Sequence, residues 1–312
     1  MRAVAVVGPT ATGKSALGLA IAQRFNGEIV ACDSTAVYRG IDIGTDKVPQ
    51  SSQQGVPHHL VDVAGVTETY SAARYAADAA AAIRAISARG RLPIIVGGTG
   101  FYYRALVRGL FPGPARHDDI RARLERVAAR KGVLALHRWL ARVDPESALR
   151  IQPRDLKRIV RALEVYVVTG RPLTAHFDDT ASPIADYTIL PLGLDLPREV
   201  LRPRVAARVE QQFAQGVVAE VQTLLAAGVP ATAHAFSGLV YRQIMELLQG
   251  VRDEPATRAL IVQENMRYAR RQLIWFRKEP NVRWLTGAGE RADVQTEAAA
   301  LVGEFLVDVR SS

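Results

Sequence analysis

Ala3-Val4-Ala5-Val6-Val7-Gly8-Pro9-Thr10-Ala11-Thr12-Gly13-Lys14-Ser15 is the stretch on which the reading of this chain turns. Five small apolar residues form a buried strand, and Gly8 to Ser15 fit G-x-x-x-x-G-K-[ST]. Leu17, Ile21 and Phe25 then recur every four residues, the period of a helix packed on one face. Strand, glycine loop and helix in that order are the context in which this motif cradles phosphate. Backbone N–H groups of the loop approach the phosphate oxygens, and the helix N-terminus adds its positive end. Lys14 supplies a point charge, and the Ser15 hydroxyl is a candidate ligand for Mg2+. Gly8, Pro9, Thr10, Ala11, Thr12, Gly13, Lys14 and Ser15 are therefore the candidate phosphate site. The motif leaves open whether the phosphates belong to a nucleotide or to another diphosphate.

Outward from that loop, Ile29 to Cys32 and Ile94 to Val96 read as further buried strands, separated by a helix from about Ser71 to Arg89. Thr188 to Leu194 is expected to return the chain to the same sheet. Short apolar strands alternating with amphipathic helices imply an α/β fold, here a P-loop doubly wound parallel sheet with helices on both faces. Between about Pro112 and Pro183 the pattern is helical only, bounded by Phe111-Pro112-Gly113-Pro114 and Ala181-Ser182-Pro183. The expected domains are a catalytic core of residues 1–111 and 184–312 and a helical insertion domain of residues 112–183. From about Thr286 a surface helix and a frayed end are expected.

In an open parallel sheet, ligands gather beyond the carboxyl ends of the strands. Gly8, Asp33 and Thr99 each lie just past a strand end, so they should face one crevice. Asp33 is a candidate Mg2+ partner or general base, with capping of the turn at Ser34-Thr35 as its structural alternative. The third strand ends in Gly97-Gly98 without an aspartate, which disfavours ATP hydrolysis. Arg204 and Arg208 lie four apart on a later helix and could close over a phosphate opposite Lys14. Near the C-terminus, Val262, Met266, Ala269, Leu273 and Phe276 make a core stripe. That leaves Arg267, Arg270, Arg271, Arg277 and Lys278 outside, with Tyr268 and Trp275 nearby to stack on bases. His58 and His59 lack the partners of a metal site and read as turn residues. Cys32 reads as core packing.

The 312 residues, 48% of them hydrophobic, can bury one sizeable core and a smaller module. A formal charge of +9 draws polyanions, and residues 101–190 hold 16 Lys and Arg against 10 Asp and Glu. One cysteine excludes an internal disulfide framework, and no signal-like segment or membrane-length apolar run stands in the sequence. A cytoplasmic protein with no membrane partner is expected, and a monomer.

Several motifs in order resemble the bacterial tRNA dimethylallyltransferases over nearly the whole chain. They are Gly8 to Ser15, Asp33-Ser34 with Val37 to Thr45, Pro57-His58-His59-Leu60, Val96 to Gly100, and Arg161 to Val165. The resemblance implies that the P-loop and Arg208 hold the diphosphate of dimethylallyl diphosphate, with Mg2+, and that Asp33 is the general base. It implies an acceptor at N6 of the adenine next to the anticodon, flipped out of the anticodon stem-loop into a channel between the sheet and the helical insertion. Asp33, Ser34, Thr35, Ala36 and Thr99 would meet that base. Arg121, the segment Lys157, Arg158, Ile159, Val160 and Arg161, and the stretch with Arg267, Arg270, Arg271 and Gln272 would hold the tRNA. The family often has Gly-Tyr where this chain has Val240-Tyr241. The chain also lacks the zinc-finger extension of eukaryotic relatives, so no zinc is expected.

The alternative from another class is a P-loop kinase of a small metabolite or nucleoside. It accounts for the motifs near the sheet but leaves the basic helices unexplained.

Overall fold

The computed structural model describes residues 1–111 and 113–307; Pro112, at the expected domain boundary, and the expected frayed end at 308–312 lie outside them. In chain order the elements are β1 (Arg2–Val7), α1 (Lys14–Arg24), β2 (Gly27–Ala31), β3 (His58–His59), α2 (Ala72–Ala88), β4 (Leu92–Gly97) and α3 (Gly100–Val107). Then come α4 (Asp118–Lys131), α5 (Val133–Val143), α6 (Pro145–Arg150), α7 (Leu156–Thr169) and β5 (Thr188–Asp195). The remainder is α8 (Arg198–Ala214), α9 (Val217–Ala226), α10 (Tyr241–Leu248), α11 (Glu254–Phe276), β6 (Arg283–Thr286) and α12 (Ala292–Val307). The chain forms two compact units, residues 1–107 with 183–312, and residues 108–182.

The first unit is built on a six-stranded sheet in the order β3-β2-β4-β1-β5-β6, with every pairing parallel. Its strands alternate in the direction their side chains take, so each feeds two layers. Val4, Val6, Ile94, Val96, Leu192 and Leu194 pack with Leu17 and Ile21 of α1 and with Val294, Ala298 and Val302 of α12. Ala3, Ala5, Val7 and Ile95, buried as well, belong to the other face, and α2 lies against β2 and β4 with Tyr75, Ala79 and Ile83 buried. Ser71 caps α2 by accepting from Arg74 N–H, the local reason the helix starts where its sequence expects.

One expectation changes here. His58 and His59 are not turn residues: they form the edge strand β3, and His59 Nε2 lies 2.6 Å from an oxygen of the buried Glu28. α12 is a surface helix that buries one face against α1 and the sheet. Both features depend on packing partners far away in sequence.

The second unit is all helical. Leu124, Leu136, Leu140, Ile159, Val160 and Leu163 form its core. Asp144 and Asp155 cap the helices that follow them, α6 and α7, through Ser147 N–H and Arg158 N–H.

Candidate active site

β1 lies between β4 and β5, so the loop after it opens at the carboxyl edge of the sheet where the strand order reverses. Gly13, the N-cap of α1, has φ +87°, and a Cβ there would stand 2.7 Å from Gly289 N. Only glycine fits such a position. Gly289 N–H in turn donates to Thr12 O, so the segment before α12 buttresses the loop from outside.

A pocket of about 820 Å3 opens on this loop. Thr10, Ala11, Gly13, Lys14 and Ser15 line it from the P-loop, Asp33 to Ala36 from the segment after β2, and Gly97 and Gly98 from the end of β4. Arg208 of α8 and Tyr268, Arg271 and Gln272 of α11 close the sides. Gly8, Pro9 and Thr12 lie behind this surface and shape it: the Thr12 hydroxyl and Lys14 Nζ both donate to Pro9 O. Burial, followed by the nearby Arg208 charge, brings the Lys14 ammonium down to about 7, against the opposing pull of Asp33.

The contacts of Asp33 show the turn-capping role. Its Oδ1 accepts from Thr35 N–H at 2.8 Å, Thr35 Oγ1 at 2.7 Å and Ala36 N–H at 3.3 Å, capping the turn. Oδ2 has no donor among the described residues, and Asp33 lines the pocket with Lys14. The cap therefore fixes the carboxylate while leaving one oxygen for a ligand. Thr99 Oγ1 accepts from Ser34 N–H at 3.1 Å and so ties the end of β4 to the same turn.

Arg208 lies across from Lys14 with Nη1 donating to Thr10 Oγ1 at 2.8 Å. Arg204 does not close over the pocket: Nε donates to Ala11 O at 2.8 Å and its guanidinium pairs with Glu290. One helical turn separates the two arginines, and only Arg208 faces the ligand side. Ser15 is exposed at the start of α1, and its hydroxyl has no partner among the described residues.

On α11 the buried stripe takes Gln272 in place of Leu273. The Gln272 side chain accepts from Thr10 N–H at 2.8 Å and donates to Gly98 O at 2.9 Å, joining P-loop, β4 and α11. A Cβ on Gly98 would stand 2.1 Å from that amide. Gln272 thus uses its polar atoms inside the protein. Arg267, Arg270, Arg277 and Lys278 are exposed, and Arg271 lies 5.7 Å from the Tyr268 ring centre. Burial and the Asp33 charge push the Tyr268 phenol up to about 12, against a hydrogen bond to Thr99. Trp275 is not free to stack on a base: Arg104 lies 4.3 Å from its ring centre and Gly100 packs against its edge. Val240, on the pocket wall, takes φ +76° and ψ −61°, a conformation costly for a β-branched residue and free for glycine.

In the helical unit, Arg121 donates to both oxygens of Glu164 at 2.9 Å, and Arg161 donates to Oε2 at 2.7 Å. Lys157 and Arg158 are exposed on α7, whereas Ile159 and Val160 are core residues with no side chain to offer a ligand. Burial would raise the Glu164 carboxyl, but the hydrogen bonds from Arg121, Arg161 and His117 N–H bring it down to about 2. Glu164 stands inside the Arg161 to Val165 motif, yet its role as the anchor of both arginines had no signal in one dimension. Asp46, a second carboxylate on the pocket wall, also escaped the sequence reading. Its one clue was adjacency to the Val37 to Thr45 motif.

Fold and site together define a P-loop α/β protein whose pocket sets Lys14 and Arg208 in one lining with the Asp33 carboxylate. A model of the IPP transferase family matches residues 36–279. The chain is 43% identical to the tRNA dimethylallyltransferase of Koribacter versatilis, across 98% of this chain and 97% of that one. It is 46% identical to the tRNA dimethylallyltransferase of Solibacter usitatus, across 98% and 99%. The crystal structure of the full-length tRNA isopentenylpyrophosphate transferase from Bacillus halodurans superposes with a TM-score of 0.73 at 35% identity, covering 98% of this chain and 97% of that one. This protein belongs to the IPP transferase family.

Proposed function

We propose that this protein transfers a dimethylallyl group from dimethylallyl diphosphate to N6 of the adenine adjacent to the anticodon of tRNA, releasing diphosphate. The observation that carries this reading is one pocket in which Lys14 and Arg208 flank the P-loop while Asp33 keeps one carboxylate oxygen open. Relatives aligned over 98% of this chain are named tRNA dimethylallyltransferase, which supports the reading.

The exocyclic amine of adenine is a weak nucleophile, because its lone pair is conjugated with the ring. As N6 forms its bond to the allylic carbon, the Asp33 carboxylate takes a proton from the amine. The carbon–oxygen bond to the diphosphate breaks, and its electron pair leaves with the diphosphate oxygen. Lys14, the loop N–H groups and Arg208 would receive that growing charge. Thr99 and the Asp33 to Ala36 turn would hold the base, with Tyr268 beside them. The arginines of α7 and α11 would grip the RNA backbone. The Asp33 carboxylate and the Ser15 hydroxyl, both in the pocket lining, suit Mg2+, which takes few protein ligands when a diphosphate supplies others. Ser15 would hold the ion, and when bound it adds positive charge next to the leaving diphosphate. The reaction is proposed to run in the cytoplasm.

The test uses purified protein, Mg2+ and dimethylallyl diphosphate labelled in the allyl group. Label should enter an unmodified tRNA carrying the target adenine; transfer of γ-phosphate from ATP to a small molecule would replace this reading with the kinase. Asp33→Ala should lower turnover by about 10²- to 10⁴-fold while tRNA affinity holds. Equal loss of both would make Asp33 a positioning group.

A further inference from the structure

Asp46 is a carboxylate inside the pocket that the transfer chemistry above does not use. It follows Thr45 on the loop after β2, with φ +54°. Its Oδ2 accepts from Gln212 Nε2 at 2.9 Å and lies 3.3 Å from Arg208 Nε. Gln212 is buried on α8, one turn beyond Arg208, and also reaches Gly44 O at 3.3 Å. The Arg208 guanidinium is therefore held from two sides, by Asp46 through Nε and by Thr10 through Nη1. All four side chains line the pocket.

We propose that Asp46 is a positioning residue that holds Arg208 against the P-loop in the free protein and is displaced from it by the incoming diphosphate. The proposal rests on the reading that this pocket takes the allylic diphosphate. A guanidinium engaged by a carboxylate at one edge offers its next acceptor a pre-set direction. Diphosphate oxygens arriving on the loop compete for the same guanidinium, and they bring several negative charges close to the Asp46 carboxylate. Like charges in a partly desolvated site repel. Asp46 thus opposes the ligand that Arg208 attracts, and it regains Arg208 when diphosphate leaves. Burial already pushes the Asp46 carboxyl up to about 6, more than Arg208 and Gln212 offset. Its pairing with Arg208 is accordingly easy to exchange.

This gives an expectation opposite in sign to that of a structural ion pair. Asp46→Asn keeps the shape and the hydrogen bonds but removes the charge. By calorimetry, it should bind inorganic pyrophosphate about five- to tenfold more tightly than the unsubstituted protein, with and without Mg2+. Product inhibition by pyrophosphate should strengthen by the same factor, and KM for tRNA should stay unchanged. Unchanged or weaker pyrophosphate binding by a folded Asp46→Asn protein overturns the proposal. Weakening seen only with Mg2+ also overturns it, in favour of a metal ligand. Should Asp46→Asn not fold, Asp46→Ala carries the same test and the same sign. Lys14→Ala separates the two layers. If unsubstituted protein binds no pyrophosphate, or binds it equally after Lys14→Ala, the reading of the pocket fails and this inference with it. Lys14-dependent binding without a gain in Asp46→Asn sinks the inference alone.

Discussion

Lys14 illustrates how one side chain can be tuned by the place the loop puts it. Its ammonium is buried against Pro9 O and stands near Arg208, so it titrates at about 7 rather than in the usual lysine range. A diphosphate bound as proposed would bring opposite charge to Lys14 and favour its protonated form. At pH 8 the free lysine is mostly neutral, so its recharging should add about one proton to the net uptake. Calorimetry of pyrophosphate binding in buffers of different ionisation enthalpy reads the net uptake, and the difference from Lys14→Arg is the share of the lysine. Lys14→Arg, which stays charged at every accessible pH, should bind without that share. An uptake undiminished in Lys14→Arg would assign the proton to another group.

Among the elements, α7 shows how a helix can present cations rigidly. Glu164 is buried one turn from Arg161 and receives Arg121 from α4, so one carboxylate anchors two helices and two guanidiniums. Its folded value of about 2 lies below its unfolded one. The stability it contributes is therefore present above about 4.5 and is lost as the pH falls toward 2. Glu164→Gln should lower stability near neutral pH by about 2 kcal/mol, since two guanidiniums lose their partner while still reaching solvent. Urea denaturation across pH should then show the two proteins converging as the pH drops from about 4.5 toward 2. A constant gap would mean that the carboxylate's charge contributes nothing. The same element explains a limit of sequence reading: Arg161 and Glu164 were visible as a motif, but the approach of Arg121 from another helix was not.

For the whole molecule, the charge of +9 becomes meaningful through where the cations are exposed. On α11, Arg267 and Arg270 face solvent while Gln272 and Phe276 face inward, and Arg277 and Lys278 are exposed just past its end. Arg270 has no ion-pair partner among the described residues, which makes it the cleanest probe of RNA contact. Arg270→Ala should flatten the dependence of log tRNA affinity on log salt concentration by about 0.7 to 0.9, the slope of one phosphate contact. Filter binding across a salt series checks this, and an unchanged slope would leave Arg270 a merely solvated cation.

Much of this protein was legible before any coordinates. The strand before Gly8, the glycine loop and the helix after it are local matters: small apolar residues, a required left-handed glycine and a helical repeat all lie within a few residues of one another. The parallel sheet followed from alternation, and the position of Asp33 at a strand end followed from the same rule. Only tertiary structure decided what happens between segments far apart in sequence. It added β3 and β6, strands too short to announce themselves, to the edges of the sheet, and it buried α12 against α1. It gave Gln272 to the P-loop, turned Arg204 away from the pocket, and brought Asp46 against Arg208. Periodicity reports which face a residue occupies, because that is a property of its own helix or strand. Which polar atom meets which is set by the distant backbone that packs against that face.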